Sequence, residues 1–544
     1  MTTNTLYYGD NLEILRNRAY FPDECVDLIY LDPPFNSART YNVLFKDESG
    51  SESESQIVAF DDTWHWGHEA QDAYYHLVKH GNEQVCRIIG ALKDILGNTP
   101  MSAYIMMMGV RLVELHRILN RTGSVYLHCD PTASHYLKIV LDAIFGVENY
   151  QNEISWQRTN AKGLASKRLP KNRDIIFFYT KSDKWTWNSP YKPHDPEYVK
   201  KFYRHVEPET GRVYSLADLT NPNKNRPNLD YEFLGIKRVW RWTKERMQKA
   251  LEDGLIVQLG EGRVPRFKRY LDEQEGTPLS DEWIDIPPLS AQSAEKLGYP
   301  TQKPVKLLER IITMSSNPGD VVLDPFCGCG TTIAASQTLG RNWIGIDITH
   351  LSIALQKYRL KDAFGDIPYT IIGEPSDIEG ARQLATEDRY QFQWWALSLV
   401  RAKPVGGNED ERKGKKGRDR GIDGVINFLE LGEKARRVIV QVKSGKVKSG
   451  DIRDLSGTLE REKATIAVFI TLEEPTRDMI AEATSAGFYT PPAFGGDVKY
   501  RRIQIFTVEQ LMLGATIDMP ASHGTFKQAG RIDTDDKPTT MPLL

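Results

Sequence analysis

An apolar run that stops at two consecutive prolines frames everything else in this chain. In VDLIYLDPPF, residues 26–35, Val26, Leu28, Ile29, Tyr30 and Leu31 give the near-continuous hydrophobicity of a strand covered on both faces. Pro33 and Pro34 lack backbone donors and hold φ fixed, so neither a ladder nor a helix continues past them. Asp32 is left at the carboxyl end of the strand, where open α/β sheets bind their ligands. Its carboxylate only accepts hydrogen bonds, and the Pro33 carbonyl, held by Pro34, is a second acceptor beside it. Two convergent acceptors suit an NH₂ group, and Phe35 offers a flat face to a planar ring. A strand followed by a rigid turn without chemistry uses the same residues, so this motif alone leaves both readings open.

A second strand tip tips the balance. VVLDPFCGCGTT, residues 321–332, again ends an apolar strand in an acid, Asp324. Phe326 follows, and then Gly328, Gly330, Thr331 and Thr332 lead into a helix. Small residues at a strand–helix turn let a ligand approach the backbone, and the helix start has unpaired N–H groups. The full G-x-G-x-x-G spacing is absent, which argues against a nicotinamide cofactor. WIGIDI then ends a further strand at Asp347, an acid suited to the two hydroxyls of a ribose.

A DPPF strand tip combined with a DPFCGCGTT turn resembles the amino-methyltransferases that use S-adenosylmethionine to methylate exocyclic amines in DNA. The amine-binding motif precedes the cofactor turn, the order of the circularly permuted β group. YYGD (7–10), GSVYLHCD (123–130), DIIFFYTKS (174–182) and YPTQKP (299–304) fit the same pattern. The resemblance implies a Rossmann-like α/β sheet, double-stranded DNA as substrate, and adenine N6 rather than cytosine N4 as acceptor. It puts Asp10 against the cofactor's adenine amine, although an Asp before an amphipathic run equally reads as a helix cap. It also puts Thr301 and Lys303 near the cofactor's carboxylate. His128 and Asp130 end a strand and read as structural, because amine methylation needs no strong base.

The expected organisation is a catalytic half over 1–185, a target-recognition insert over 186–298 and a cofactor-binding half over 299–375. The insert is where strand–helix alternation gives way to aromatic-basic clusters such as IKRVWRWTKERMQK (236–249). Trp240, Arg241 and Trp242 there either face DNA or build a small core. Residues 48–56, rich in serine and glutamate, read as a loop that closes over substrate. Trp64 and Trp66 beside it stack on bases or pack beneath the loop.

A separate α/β domain is expected over 376–520, followed by a frayed tail over 521–544. QFQWWALSLV reads as a buried helix, and the charged segment GGNEDERKGKKGRDRG as a solvated loop. GIDGVINF sets Asp423 before one strand, and RRVIVQVKSG sets Gln441 and Lys443 two apart on the next, hence on one face. An acid and an amide oxygen can hold Mg²⁺ while a lysine orients the attacking water. This Asp…Gln-x-Lys pattern resembles the Mrr branch of the PD-(D/E)xK restriction endonucleases, with Asp423 and Gln441 as metal ligands. Together the two halves suggest a methyltransferase fused to a Mg²⁺-dependent nuclease, acting in restriction–modification or phage defence. Two alternatives remain: a non-cutting DNA-binding module at the C-terminus, or a nuclease directed at modified DNA. No Walker motif occurs, so ATP-driven translocation would need a separate ATPase or helicase subunit. A homodimer is left open.

Composition limits the remaining classes. A chain of 544 residues exceeds one core, and 26% charged with 40% hydrophobic residues is ordinary for a soluble protein. The formal net charge of −3 says nothing global about nucleic acid, so any basic face must be local. Five scattered cysteines and no leader-like N-terminus point to the cytoplasm. Cys327 and Cys329 lack a second pair and read as small packing residues rather than metal ligands.

Overall fold

The computed structural model describes residues 3–34, 40–46, 52–61, 66–160, 169–290, 293, 295, 297, 299, 301–405, 421–430, 434–491 and 498–520. Phe35, Trp64, the basic cluster of 406–420 and the tail beyond 520 lie outside them.

The strand anticipated from its apolar run is Val26–Leu31, and it sits at the centre of a nine-stranded mixed sheet. On one side follow Leu119–Cys129, Arg173–Thr180, Tyr150–Gln157 and Glu282–Trp283. On the other follow Val321–Asp324, Asn342–Asp347, Thr5–Tyr8 and Thr370–Ile372. Arg173–Thr180 runs antiparallel to both its neighbours, and the remaining pairs are parallel. Central strands are buried on both faces, which is why VDLIYL shows no polar alternation. Val322 pairs with Leu28 and Leu323 with Ile29, so tips nearly 300 residues apart in sequence end side by side.

The helix Pro100–Ile118 is buried along most of its length, continuously from Ser102 to Leu112, where its residues are nearly all apolar or small. Thr99 caps it by accepting from the Ser102 N–H at 3.3 Å, and Pro100 supplies the fixed φ of a first turn. Arg111 is the one fully charged side chain in its buried stretch.

The insert is narrower than 186–298 and forms its own compact unit over Ser189–Ser280. The boundary lies inside the expected one because Glu282–Trp283 joins the main sheet, pairing with Ser155 and Trp156. Within the insert, a four-stranded sheet and the hairpin Asp230–Phe233/Ile236–Val239 enclose a small core around Trp240, Phe233 and Met247. Trp240 is fully buried and its indole N–H donates to the Tyr231 carbonyl at 2.9 Å, which makes it a core builder. Residues 52–61, expected in part as a loop, form a strand paired with Thr40–Lys46. Ladder pairing there overrides a polar composition.

The C-terminal part is a five-stranded sheet in the order Lys403–Pro404, Gly424–Glu430, Lys434–Lys443, Ile466–Thr471, Ile503–Thr507. QFQWWALSL lies within the helix Arg389–Leu399, with Val400 as its C-cap, and this helix joins the sheet to the methyltransferase-like one. Phe392, Trp395 and Leu397 enter the C-terminal core, whereas Trp394 packs with Tyr299, Cys329 and Leu351. Among the described residues no helix is long and apolar enough to cross a membrane.

Candidate active site

Three strand tips and two connecting segments converge on one cavity of about 260 Å³. Asp32, Pro33 and Pro34 contribute from the central strand, and Asp324, Phe326, Gly328, Thr331 and Thr332 from its neighbour. Asp347 comes from the next strand, Asp10 from the turn after Thr5–Tyr8, and Thr301 with Lys303 from the TQKP segment. Gly330 stands just behind this wall as N-cap of the helix Thr331–Thr338, with φ of +72°. A Cβ there would also come within 2.8 Å of Gln356, so the turn requires glycine twice over.

The carboxylates of this cavity are not equivalent. One Asp324 oxygen accepts from the Phe326 N–H at 3.0 Å and the other from the Thr332 hydroxyl. Asp347 accepts from the Gly328 N–H at 2.9 Å and from the Thr349 N–H and hydroxyl at 3.0 Å each. Both tie the turn together, and burial pushes Asp324 up to about 7 and Asp347 up to about 6. Asp32 differs: Lys303 Nζ engages Oδ2, while Oδ1 is buried with no hydrogen-bond partner. A carboxylate oxygen that the chain itself leaves without a donor is an acceptor open to an N–H from outside.

Asp10 is the N-cap of the helix Asn11–Arg16, accepting from the Leu12 N–H at 2.8 Å, and its other oxygen pairs with Arg111 at 2.9 Å. Arg111 also donates to Asn11 at 2.6 Å, and Asn11 in turn donates to the Pro325 carbonyl at 2.8 Å. The buried charge of this helix thus braces the first turn against the second motif. An arginine set within the apolar run AYIMMMGVRLV was the available sequence signal for it.

Lys303 was expected at the cofactor's carboxylate, and here its partner is Asp32. The sheet order brings the TQKP segment across the central strand tip, which spacing along the chain does not reveal. His128 is fully buried, with Nδ1 at 2.9 Å from the Tyr30 hydroxyl and Nε2 at 3.1 Å from Asp174. Asp130 accepts from the N–H and hydroxyl of Thr132, a local turn. His128 thus links the central strand to Asp174, and Asp130 closes a local turn. Cys327 and Cys329 are buried in the turn, and Gln356 donates to the Cys327 sulfur at 3.0 Å.

The second candidate site lies in the C-terminal sheet. Asp423 enters the strand Gly424–Glu430 directly ahead of the antiparallel pair Gly424 and Val440, which sets it next to Gln441. One Asp423 oxygen accepts from Gln393 Nε2 at 3.0 Å and the other from the Val442 N–H at 2.7 Å. Gln441 is buried and its amide oxygen has no hydrogen-bond partner. Lys443 is the last residue of the same strand. Gln393, on the joining helix, carried no sequence signal beyond its place between two aromatic residues. Among the described residues no cluster of three or more His, Cys, Asp or Glu could hold a metal ion.

Residues 26–355 match a family model described as DNA methylase. Residues 406–512 match one described as NACHT-associated inactive Restriction Endonuclease 1. The type II methyltransferase M.EcaI of Enterobacter cloacae is 29% identical over 63% of this chain and 66% of its own length. The Mod subunit of the type III restriction-modification enzyme StyLTI of Salmonella typhimurium is 25% identical over 62% of this chain and 50% of its own. The chain thus spans between half and two thirds of the length of these relatives. A solved complex of M1.HpyAVI with SAM is similar at 17% identity, covering 63% of this chain and 92% of that one, with a TM-score of 0.28.

Proposed function

The chain belongs to the DNA methylase family, and from that premise we propose that it transfers the methyl group of S-adenosylmethionine to N6 of adenine in double-stranded DNA. The observation that carries this reading is the buried, partnerless Oδ1 of Asp32 at the mouth of the Asp324–Asp347 turn. The fit to the cofactor rests on donor chemistry. Asp347 suits ribose hydroxyls, while Gly328, Gly330 and the first turn of the helix at Thr331 and Thr332 allow close approach to backbone. Asp324, Phe326, Asp10 and Thr301 complete the set that would hold it. When bound, the cofactor supplies an electrophilic sulfonium methyl.

The chain's own residues do the rest. A target adenine leaves the stack to reach a recessed cavity of this kind. Asp32 Oδ1 and the Pro33 carbonyl accept the two N6 hydrogens, and Pro34 keeps that carbonyl in place. Holding both hydrogens draws the nitrogen lone pair out of ring conjugation and aims it into the cavity. Asp32 then receives the proton that nitrogen loses as the new bond forms. Positioning of this kind is worth on the order of 7–11 kcal/mol when geometry is near attack. The insert Ser189–Ser280, with its Lys and Arg side chains, is the proposed reader of the DNA sequence. The test is transfer of labelled methyl to unmodified genomic DNA, with nucleosides identified by mass. N6-methyladenine supports the reading, and N4-methylcytosine or no product rejects it.

For the C-terminal sheet we propose a restriction endonuclease-like domain that cleaves DNA lacking the mark, with Asp423 and Gln441 toward Mg²⁺ and Lys443 toward the attacking water. One carboxylate and one unpartnered amide oxygen are hard donors compatible with an ion that keeps most of its waters. Gln393 would have to release Asp423 first. Incubating the protein and Mg²⁺ with unmodified DNA tests it: cutting that disappears in Asp423→Ala supports a nuclease. Binding without cutting supports a DNA-holding module instead, and cutting of methylated DNA alone supports a modification-dependent nuclease.

A further inference from the structure

We propose that Lys303 is a positioning residue for methyl transfer, acting through Asp32 rather than on the cofactor. The inference rests on the methylation reading above and deepens it.

An ionised carboxylate has two equivalent oxygens and swings about its last torsion, so by itself it offers an amine several binding poses. In this cavity that freedom is gone. Lys303 Nζ engages Asp32 Oδ2, which leaves Oδ1 as the sole unpaired acceptor, buried and fixed in place. The lysine can do this because it is itself immobile. Its side chain is only 10% exposed, and its ammonium also lies 3.4 Å from the Thr301 carbonyl. The segment carrying it is pinned from both ends. Gln302 donates to the Glu295 carbonyl at 2.7 Å and accepts from the Leu297 N–H at 2.8 Å, while the Glu295 carboxylate accepts from the Val305 N–H at the start of the next helix. A long, flexible side chain has thereby been turned into a fixed post.

Charge supplies the second half of the argument. Asp32, Asp324 and Asp347 all line one cavity, and the cations among the described lining residues are Lys303 and Arg111. Arg111 is committed to Asp10 and Asn11. Lys303 is therefore the cation set against Asp32 in a cavity that Asp10, Asp324 and Asp347 also line. Removing its charge while keeping its bulk frees the carboxylate to rotate and spoils the single acceptor position.

The experiment uses the full chain with Lys303→Met, Lys303→Arg and Asp32→Asn, alone and combined. Labelled methyl transfer to unmodified DNA is measured at saturating S-adenosylmethionine, and cofactor affinity separately by calorimetry. Lys303→Met is expected to lower kcat about 10²-fold, the cost of a misplaced reacting group, with cofactor Kd changed less than about threefold; Lys303→Arg should recover part of the rate. Adding Lys303→Met to Asp32→Asn should cost little more, because the two act as one unit. Thermal melting of each variant identifies loss of folding, and Lys303→Arg then carries the comparison. A cofactor Kd weakened tenfold or more with kcat retained at saturation overturns the proposal, as do losses that simply multiply in the double variant. A wild type that transfers no methyl fells the methylation reading itself; an active wild type with an equally active Lys303→Met fells only the role of the lysine.

Discussion

Asp32 and Asp423 are both acids at strand ends of parallel-containing sheets, and the protein treats them in opposite ways. Asp32 keeps one oxygen without a partner from the chain inside a cavity. Asp423 has one oxygen occupied by Gln393 and the other by a backbone N–H of the neighbouring strand. One carboxylate is held ready for a ligand, while the other is satisfied by its own chain. The unsatisfied atom at the second site is instead the neutral amide oxygen of Gln441. A resemblance in residue types therefore says less about readiness for chemistry than the hydrogen bonds those residues already make.

The contrast can be broken most sharply at the two acids themselves. Asp32→Ala should reduce methyl transfer by about 10²–10³-fold or more, as loss of a preorganised polar group at a reacting centre does, with melting of the C-terminal sheet unchanged. Labelled transfer and thermal unfolding followed together check this, and a fully active Asp32→Ala would end the proposed mechanism.

Next in size is a pH effect confined to the first site. Burial raises the Asp347 carboxyl from 3.8 to about 6, so near neutrality it is ionised and below about 6 it carries a proton. Only the ionised form can accept from both hydroxyls of a ribose. Cofactor affinity should then be level above about pH 7 and fall as pH drops through 6, approaching tenfold per unit where the proton must be expelled. Asp347→Asn should bind weakly at every pH and flatten that slope, and calorimetric titration from pH 5 to 8 reads both.

A smaller effect belongs to the second site. Asp423→Ala leaves the Val442 N–H and the Gln393 amide without their acceptor and should cost about 1–3 kcal/mol in the C-terminal sheet. Methyl transfer should stay within about twofold of wild type, because Asp423 is not among the residues that line the first cavity; a larger fall would show that the two sites are not separate. Gln393→Ala is the mildest change, about 1 kcal/mol for one hydrogen bond, measured as a shift in the melting of the C-terminal sheet. If Mg²⁺ takes the freed Asp423 oxygen, calorimetry should show tighter Mg²⁺ binding in this variant than in wild type.

Much of the first site was legible because it is built from local signals. An apolar run ended by Pro33 and Pro34, a glycine turn after Asp324, and an acid ending WIGIDI are each written within about ten residues. The burial of Trp240 could be weighed but not decided from RVWRWTK, since an aromatic-basic cluster serves a core or a DNA surface equally well. Residues 52–56 went the other way: polar composition over 48–56 suggested a loop, and a partner strand made this part of it a ladder.

What the amino-acid sequence determined by itself is where strands stop and which side chains stand at their ends, because prolines, glycines and hydrophobic runs act through the covalent chain next to them. Which ends meet was decided only by the tertiary structure. Lys303 finds Asp32 across 271 residues, Arg111 finds Asp10 across 101, and Gln393 finds Asp423 from a helix shared by two cores. Sheet order and helix packing set those distances, and a hydrogen bond depends on distance in space rather than on separation along the chain.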